Sequence, residues 1–158
     1  MAKLLGKSGR SRMHPVTIAD AKEVNSTLAK EIFLLDGKSI LITGAGGFLG
    51  HTLLNILKYA NDAILARPCK IVAVDNFISG LQRWDKQLVE DNNFRFVQAD
   101  VSREGSIQGK YDFMFHLASI ASPIVYRQYP IETIKVNSCP TNENNLLAHL
   151  YLLCILLY

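Results

Sequence analysis

At 158 residues, with 49% apolar and 20% charged side chains, the chain has the length of one domain and the composition of a globular rather than a disordered protein. Its formal charge of +3, less the +4 that Lys3, Lys7, Arg10 and Arg12 place in the acid-free stretch Met1 to Pro15, leaves −1 for the remainder. The basicity belongs to a tail, and nucleic acid is not an expected partner. Cys69, Cys139 and Cys154 form an odd set without C-x-x-C spacing, which excludes a disulfide framework or a zinc site as the organising feature and points to a reducing compartment. The N-terminus has no apolar signal region, so the cytoplasm is the expected location.

In chain order, residues 1–15 read as a flexible tail. Val16 to Leu35 read as one short helix, with Val24, Leu28, Ile32 and Phe33 on the face that packs against the domain. Asp36-Gly37 signals a turn, and Lys38 to Thr43 reads as a buried strand through Ile40, Leu41 and Ile42. Phe48 to Ala60 follows as a helix, with Leu49, Leu53, Leu57 and Ala60 at helical intervals. A second strand, Ile71 to Val74, ends in Asp75. Leu81, Trp84, Leu88 and Val89 mark a helix closing near Asp91, before strands at Phe94 to Gln98 and Tyr111 to Leu117. Strands alternating with helices predict an α/β fold, a Rossmann-like doubly wound parallel sheet.

Gly44, Gly47 and Gly50 fall at G-x-x-G-x-x-G spacing between the first strand and its helix. In such a turn the first glycine permits the bend and the second lets backbone amides approach a pyrophosphate. The third lets helix and strand pack closely, and the phosphates face the positive end of the helix dipole. Asp75, 25 residues after Gly50, stands where a carboxylate can accept both ribose hydroxyls of an adenosine and repel a 2′-phosphate, which favours NAD over NADP. The plainer reading of Asp75 is a strand-end cap, and Arg83 is the one nearby cation in favour of NADP. Asp100-Val101 ends the third strand where an adenine would lie, with a turn aspartate as the alternative. His116 reads as a packed strand residue, followed by small residues where a dinucleotide could cross the sheet.

The stretches TGAGGFLG, VDNFISG, ADV and FHLASIASPIVYRQYPIETIKVN, in this order over Lys38 to Asn137, resemble the extended short-chain dehydrogenase/reductase family, the NAD-dependent epimerases and dehydratases of nucleotide sugars. Within that family the DNF triplet and the last stretch look most like the UDP-glucuronate decarboxylases. The resemblance implies NAD as cofactor, with Gly44, Gly47, Phe48 and Leu49 at the pyrophosphate. It implies Asp75, Asn76, Phe77, Ser79 and Gly80 around the adenosine ribose, Asp100 and Val101 at adenine, and Leu117, Ala118 and Ser119 along the middle of the cofactor. It implies that the segment Ser122 through Asn137 lines the sugar-nucleotide side, which makes Lys135 a candidate contact for an anionic nucleotide sugar such as UDP-glucuronate. The implied chemistry is oxidation at the sugar C4, loss of the C5 carboxylate as CO2, and return of the hydride, with a tyrosine activated by a lysine as base.

That base is expected as Y-x-x-x-K, and none of the six tyrosines here has a lysine four residues later, so no catalytic residue is assigned. From Ser138 the text also leaves the family pattern. Leu146 to Tyr158 is 13 nearly unbroken apolar residues, too short to cross a bilayer, and no membrane partner is expected. The expected organisation is therefore an N-terminal extension (residues 1–37), the N-terminal half of an NAD-binding domain (38–138) incomplete at its C-terminal end, and an atypical apolar tail (139–158). Two further readings stand beside the decarboxylase: a non-catalytic dinucleotide-binding module, and an epimerase or dehydratase of another nucleotide sugar. A homodimer is expected of the full-length form.

Overall fold

The computed structural model describes residues 14–78, 84–103, 105–120 and 123–137. The expected flexible tail up to Met13, the helix start at Leu81 with Arg83, the site candidates Ser79 and Gly80, and the apolar tail all lie outside the described residues.

Four strands form one sheet: β1 (Ser39–Thr43), β2 (Lys70–Asp75), β3 (Phe94–Gln98) and β4 (Phe113–His116). Their order is β3-β2-β1-β4 and every pairing is parallel. The register sets Thr43 opposite both Val74 and His116, and Asp75 opposite Gln98, so the carboxyl ends of all four strands share one edge. The chain passes from β3 on one side of β1 to β4 on the other. This reversal opens the crevice between β1 and β4 in which open α/β sheets bind ligands.

Side chains alternate between the two faces. Ile40, Ile42, Ile71, Ala73 and Phe94 turn towards Leu54, Leu57 and Ala60 of α3 (Phe48–Ala63), while Leu41 and Val74 turn to the opposite face with Val101 and Val136. A continuous apolar run such as Ile40 to Ile42 arises because both faces of β1 are covered. The α4 helix (Lys86–Val89) is a single turn capped by the Asp85 carboxylate, which accepts from the Gln87 amide at 2.9 Å. Val89, expected on its packed face, is exposed. Beyond β4, α5 (Pro123–Gln128) and α6 (Pro130–Asn137) complete the described elements.

The expected single helix before β1 is two. α1 (Pro15–Thr27) ends at Leu28, whose φ of −105° and ψ of 35° break the helix, and α2 (Ala29–Phe33) follows. The break turns Leu28 and Phe33 out to solvent; Ala21, Asn25 and Ile32 are the buried residues. Asn25 is polar and still only 1% exposed because its amide donates to the Ala21 carbonyl at 2.7 Å and across to the Ile56 carbonyl of α3 at 3.1 Å. A pattern search for apolar residues passes over such a position.

Polar ties fix the edges of the sheet. Lys58 of α3 donates to Asp62 at 2.7 Å and pairs with Asp91 before β3 at 3.1 Å. Burial works to lower its pKa, and the bonds to the two carboxylates outweigh it, so the ammonium is held above its ordinary range. At the start of β4, Asp112 accepts from the Ser39 amide and hydroxyl, both at 2.8 Å, which lowers its pKa and staples β4 to β1. Cys69 donates its thiol to Asn61 at 3.1 Å, and burial pushes it up to about 11, which leaves it in the unreactive thiol form at neutral pH.

Candidate functional site

The carboxyl edge of the sheet borders a cleft of about 350 Å³. Its floor begins at Gly44, which has φ +68° and leaves β1 so close to the end of β4 that an added Cβ would stand 2.5 Å from the Leu117 carbonyl and the Ala118 amide nitrogen. No L side chain fits there on either count. Gly50 lies against the Gly44 carbonyl and Ala45 on the inner side of the turn, as expected of the glycine that lets helix and strand meet.

Gly47 is of a different kind. Its backbone is ordinary extended (φ −74°, ψ 173°), and an added Cβ would meet only the Gly44 carbonyl within 4 Å, at 3.2 Å. On its remaining sides is the open cleft. Gly47 is also the N-cap of α3. No side chain caps that helix and no acid stands in its first turn, so its first amides keep their donors free for a ligand. A cradle without side chains, beneath uncapped amides at the positive end of a 16-residue helix, fits a diphosphate.

Asp75 closes one side. Its Oδ2 accepts from the Gly46 amide at 2.9 Å and its Oδ1 from the Phe77 amide at 2.7 Å, and the residue lines the cleft half-buried. The carboxylate thus caps the strand and faces the ligand space at once, since each oxygen retains an acceptor site. Phe77 has φ 57°, a left-handed conformation uncommon outside glycine. Its ring packs edge-on to Trp84 at 4.8 Å, and Trp84 packs on Phe96 at 4.6 Å. Across the cleft, Asp100 accepts from the Ser102 amide at 3.0 Å and hydroxyl at 2.7 Å, which is the turn role, while Val101 is buried.

Of the residues singled out in the sequence, Gly44, Gly47, Phe48, Asp75, Asn76, Phe77, Asp100, Val101, Leu117, Ala118 and Ser119 line this one cleft. Leu49 does not, being on α3 with its side chain partly in solvent. Lys135 is exposed on α6 and is not among the lining residues; Glu132 and Val136 of the same helix are. Sequence reasoning did not single out Gly46, Ile78, Ala99, Ser102, Ile120, Glu132 or Val136, although the resemblance set Glu132 and Val136 within the segment lining the sugar-nucleotide side. Most of these adjoin a predicted residue, whereas Glu132 and Val136 come to the cleft only through the packing of α6.

His116 explains that packing. It is 2% exposed, with Nδ1 2.7 Å from the Thr43 hydroxyl and Nε2 2.9 Å from the Val136 carbonyl. A carbonyl only accepts, so Nε2 carries the proton and Nδ1 accepts from Thr43. Burial lowers the His116 pKa, partly opposed by the bond to Val136. The folded state refuses a proton that the unfolded chain accepts at about pH 6.5, so stability is complete above that pH and falls below it. Urea unfolding should show a loss of up to about 1.4 kcal/mol between pH 7.5 and 5.5 that His116→Gln removes. An equal loss in the variant would assign the effect to other groups.

Residues 40–146 match the NAD dependent epimerase/dehydratase family. The UDP-glucuronic acid decarboxylase 1 of Danio rerio is 36% identical over 106 residues, which are 67% of this chain and 23% of that protein. Its namesake in Xenopus tropicalis matches to the same degree. The UDP-glucuronic acid decarboxylase 2 of Arabidopsis thaliana is 33% identical over 101 residues, 64% of this chain and 21% of the relative. The chain spans less than a quarter of the length of these relatives. Among the described residues no helix is long and apolar enough to cross a membrane, and no cluster of side chains has the makings of a metal site. With a parallel sheet of order 3-2-1-4, a glycine turn leading into an uncapped helix, an acid at the end of β2 and a family match over more than half its length, the chain belongs to the NAD dependent epimerase/dehydratase family.

Proposed function

We propose that this chain holds NAD in the cleft and is the nucleotide-binding part of a nucleotide-sugar enzyme of the UDP-glucuronate decarboxylase kind. The observation that carries the reading is Gly47: a position at which ordinary backbone geometry would admit a side chain, left bare over the cleft beneath free helix amides. The diphosphate lies at the first turn of α3, held by backbone donors and the helix dipole. Asp75 accepts from the adenosine ribose, and Val101 lies along the adenine beside Asp100. Leu117, Ala118 and Ser119 give the remainder of the dinucleotide a narrow passage over the end of β4. NAD, when bound, supplies the capacity to take and return a hydride. The sugar specificity is drawn from the names of the relatives.

A second reading, a non-catalytic dinucleotide-binding module, is favoured by one observation: no tyrosine in these 158 residues has a lysine four positions later. Such a pair is the base that takes the proton from a sugar hydroxyl as hydride leaves. We infer that the chain binds NAD and does not release CO2 from UDP-glucuronate by itself. Calorimetric titration with NAD, paired with a CO2 assay, tests both halves. Binding without turnover is expected; CO2 release removes the non-catalytic reading, and a folded sample without NAD affinity removes the cofactor site.

A further inference from the structure

We infer that Asp75 is a positioning residue for the phosphate loop as well as a partner for the ribose, so that it governs the affinity of ligands with no ribose hydroxyls to offer. This deepens the diphosphate reading above and rests on it.

The geometry is a bracket between two loops. One carboxylate oxygen takes the amide of Gly46, in the middle of the glycine turn, at 2.9 Å. The other takes the amide of Phe77, in the loop after β2, at 2.7 Å. The two loops also meet through their bulk: a Cβ added to Gly46 would lie 2.6 Å from Cε1 of Phe77 and 3.2 Å from Oδ2 of Asp75. Phe77 itself is held at φ 57° and pinned by Trp84. A residue in that conformation persists only where its surroundings over-determine it, and the bond to Asp75 is one of the restraints. The glycine turn, for its part, has few anchors of its own: Ala45 donates to the Val74 carbonyl and Gly47 to the Gly44 carbonyl, both at 3.1 Å. Among the described contacts, Asp75 is the side chain that ties the middle of this turn to the rest of the sheet edge.

Only a carboxylate serves both amides, because both of its oxygens accept. In Asp75→Asn one amide hydrogen would face an NH2 group, so one bracket bond is lost and replaced by two opposed donors. The loop that presents Gly47 and the first amides of α3 then loses its fixed distance from β2. Pre-set donors are what make a backbone cradle bind without paying for its own ordering. Neutralising this acid, the obvious way to admit a 2′-phosphate, therefore loosens the phosphate site by the same stroke.

The discriminating ligands are ADP and 2′,3′-dideoxy-ADP, which share adenine and diphosphate and differ in the ribose hydroxyls. Calorimetry on the full chain and on Asp75→Asn separates the two roles. If Asp75 acts only on the hydroxyls, the variant loses affinity for ADP and keeps that for the dideoxy compound. The bracket predicts that the variant also binds dideoxy-ADP about 10-fold more weakly or worse, the scale set by one lost hydrogen bond to a charged acceptor. Unchanged dideoxy-ADP affinity in the folded variant overturns the inference and leaves the nucleotide site standing. A wild-type chain that binds neither compound overturns both. Should Asp75→Asn fail to fold, Asp75→Ser, whose short hydroxyl cannot span the two amides, meets the same test.

Discussion

Gly44→Ala is expected to lower the unfolding free energy by about 3 kcal/mol, from about 1–2 kcal/mol for an alanine in the left-handed region and about 1–3 kcal/mol for overpacking. Both contributions act at one atom. The backbone stands at φ +68°, and the new Cβ would be 2.5 Å from the carbonyl carbon and oxygen of Leu117 and the nitrogen of Ala118. Those are backbone atoms at the end of β4, and they cannot swing aside as the tip of a side chain would. Relief would require β4 to move away from β1, breaking the bond from the Leu117 amide to the Thr43 carbonyl at 3.0 Å. Urea denaturation gives the measurement, with Gly47→Ala as the reference, since its Cβ meets one carbonyl at 3.2 Å in an unstrained backbone. Equal midpoints for the two variants would show that the turn relaxes freely and that Gly44 is not needed for the fold.

The different roles of Gly44, Gly47 and Gly50 were legible in their spacing, but the neighbours that enforce them were not. G-x-x-G-x-x-G locates a strand-to-helix turn, and the Ile40 to Ile42 run and the Leu53, Leu57 and Ala60 spacing locate the elements on either side, because hydrophobic periodicity reports burial directly. The four strands were read to within two residues at each end for the same reason. The roles of Gly44, Gly46 and Gly47 are enforced instead by what lies across from each: β4, Phe77 and open space. Those neighbours are set by contacts between positions 31 (Gly46 and Phe77) and 73 to 74 (Gly44 with Leu117 and Ala118) residues apart. Likewise Asp75 could be placed at a strand end but not seen to hold Gly46 and Phe77, and within Ser122 to Asn137 nothing singled out Glu132 rather than Lys135 as the residue that reaches the cleft. The N-terminal helix misled for a related cause. Its inward face includes Asn25, which earns burial through two carbonyl partners that no count of apolar residues reveals.

Gly47→Val separates fold from ligand. Valine is at ease with φ −74° and ψ 173°. Its cost to the fold is that of a poor N-cap, about 1 kcal/mol, together with a few tenths of an ångström of adjustment at the Gly44 carbonyl. Its branches, however, occupy the one side of the turn that the protein leaves empty and cover the amides of the first turn of α3. A diphosphate kept away from those amides loses both the hydrogen bonds and the field of the helix end. NAD affinity should therefore fall by about 100-fold or more, on the order of 3 kcal/mol, in a protein that unfolds within about 1 kcal/mol of the parent. Calorimetry and urea denaturation on the same sample give the two numbers. The pairing matters because a loss of binding alone could reflect a damaged fold. A Gly47→Val protein that kept its NAD affinity would place the phosphates away from α3, and Gly47 would then be bare for no reason the ligand supplies.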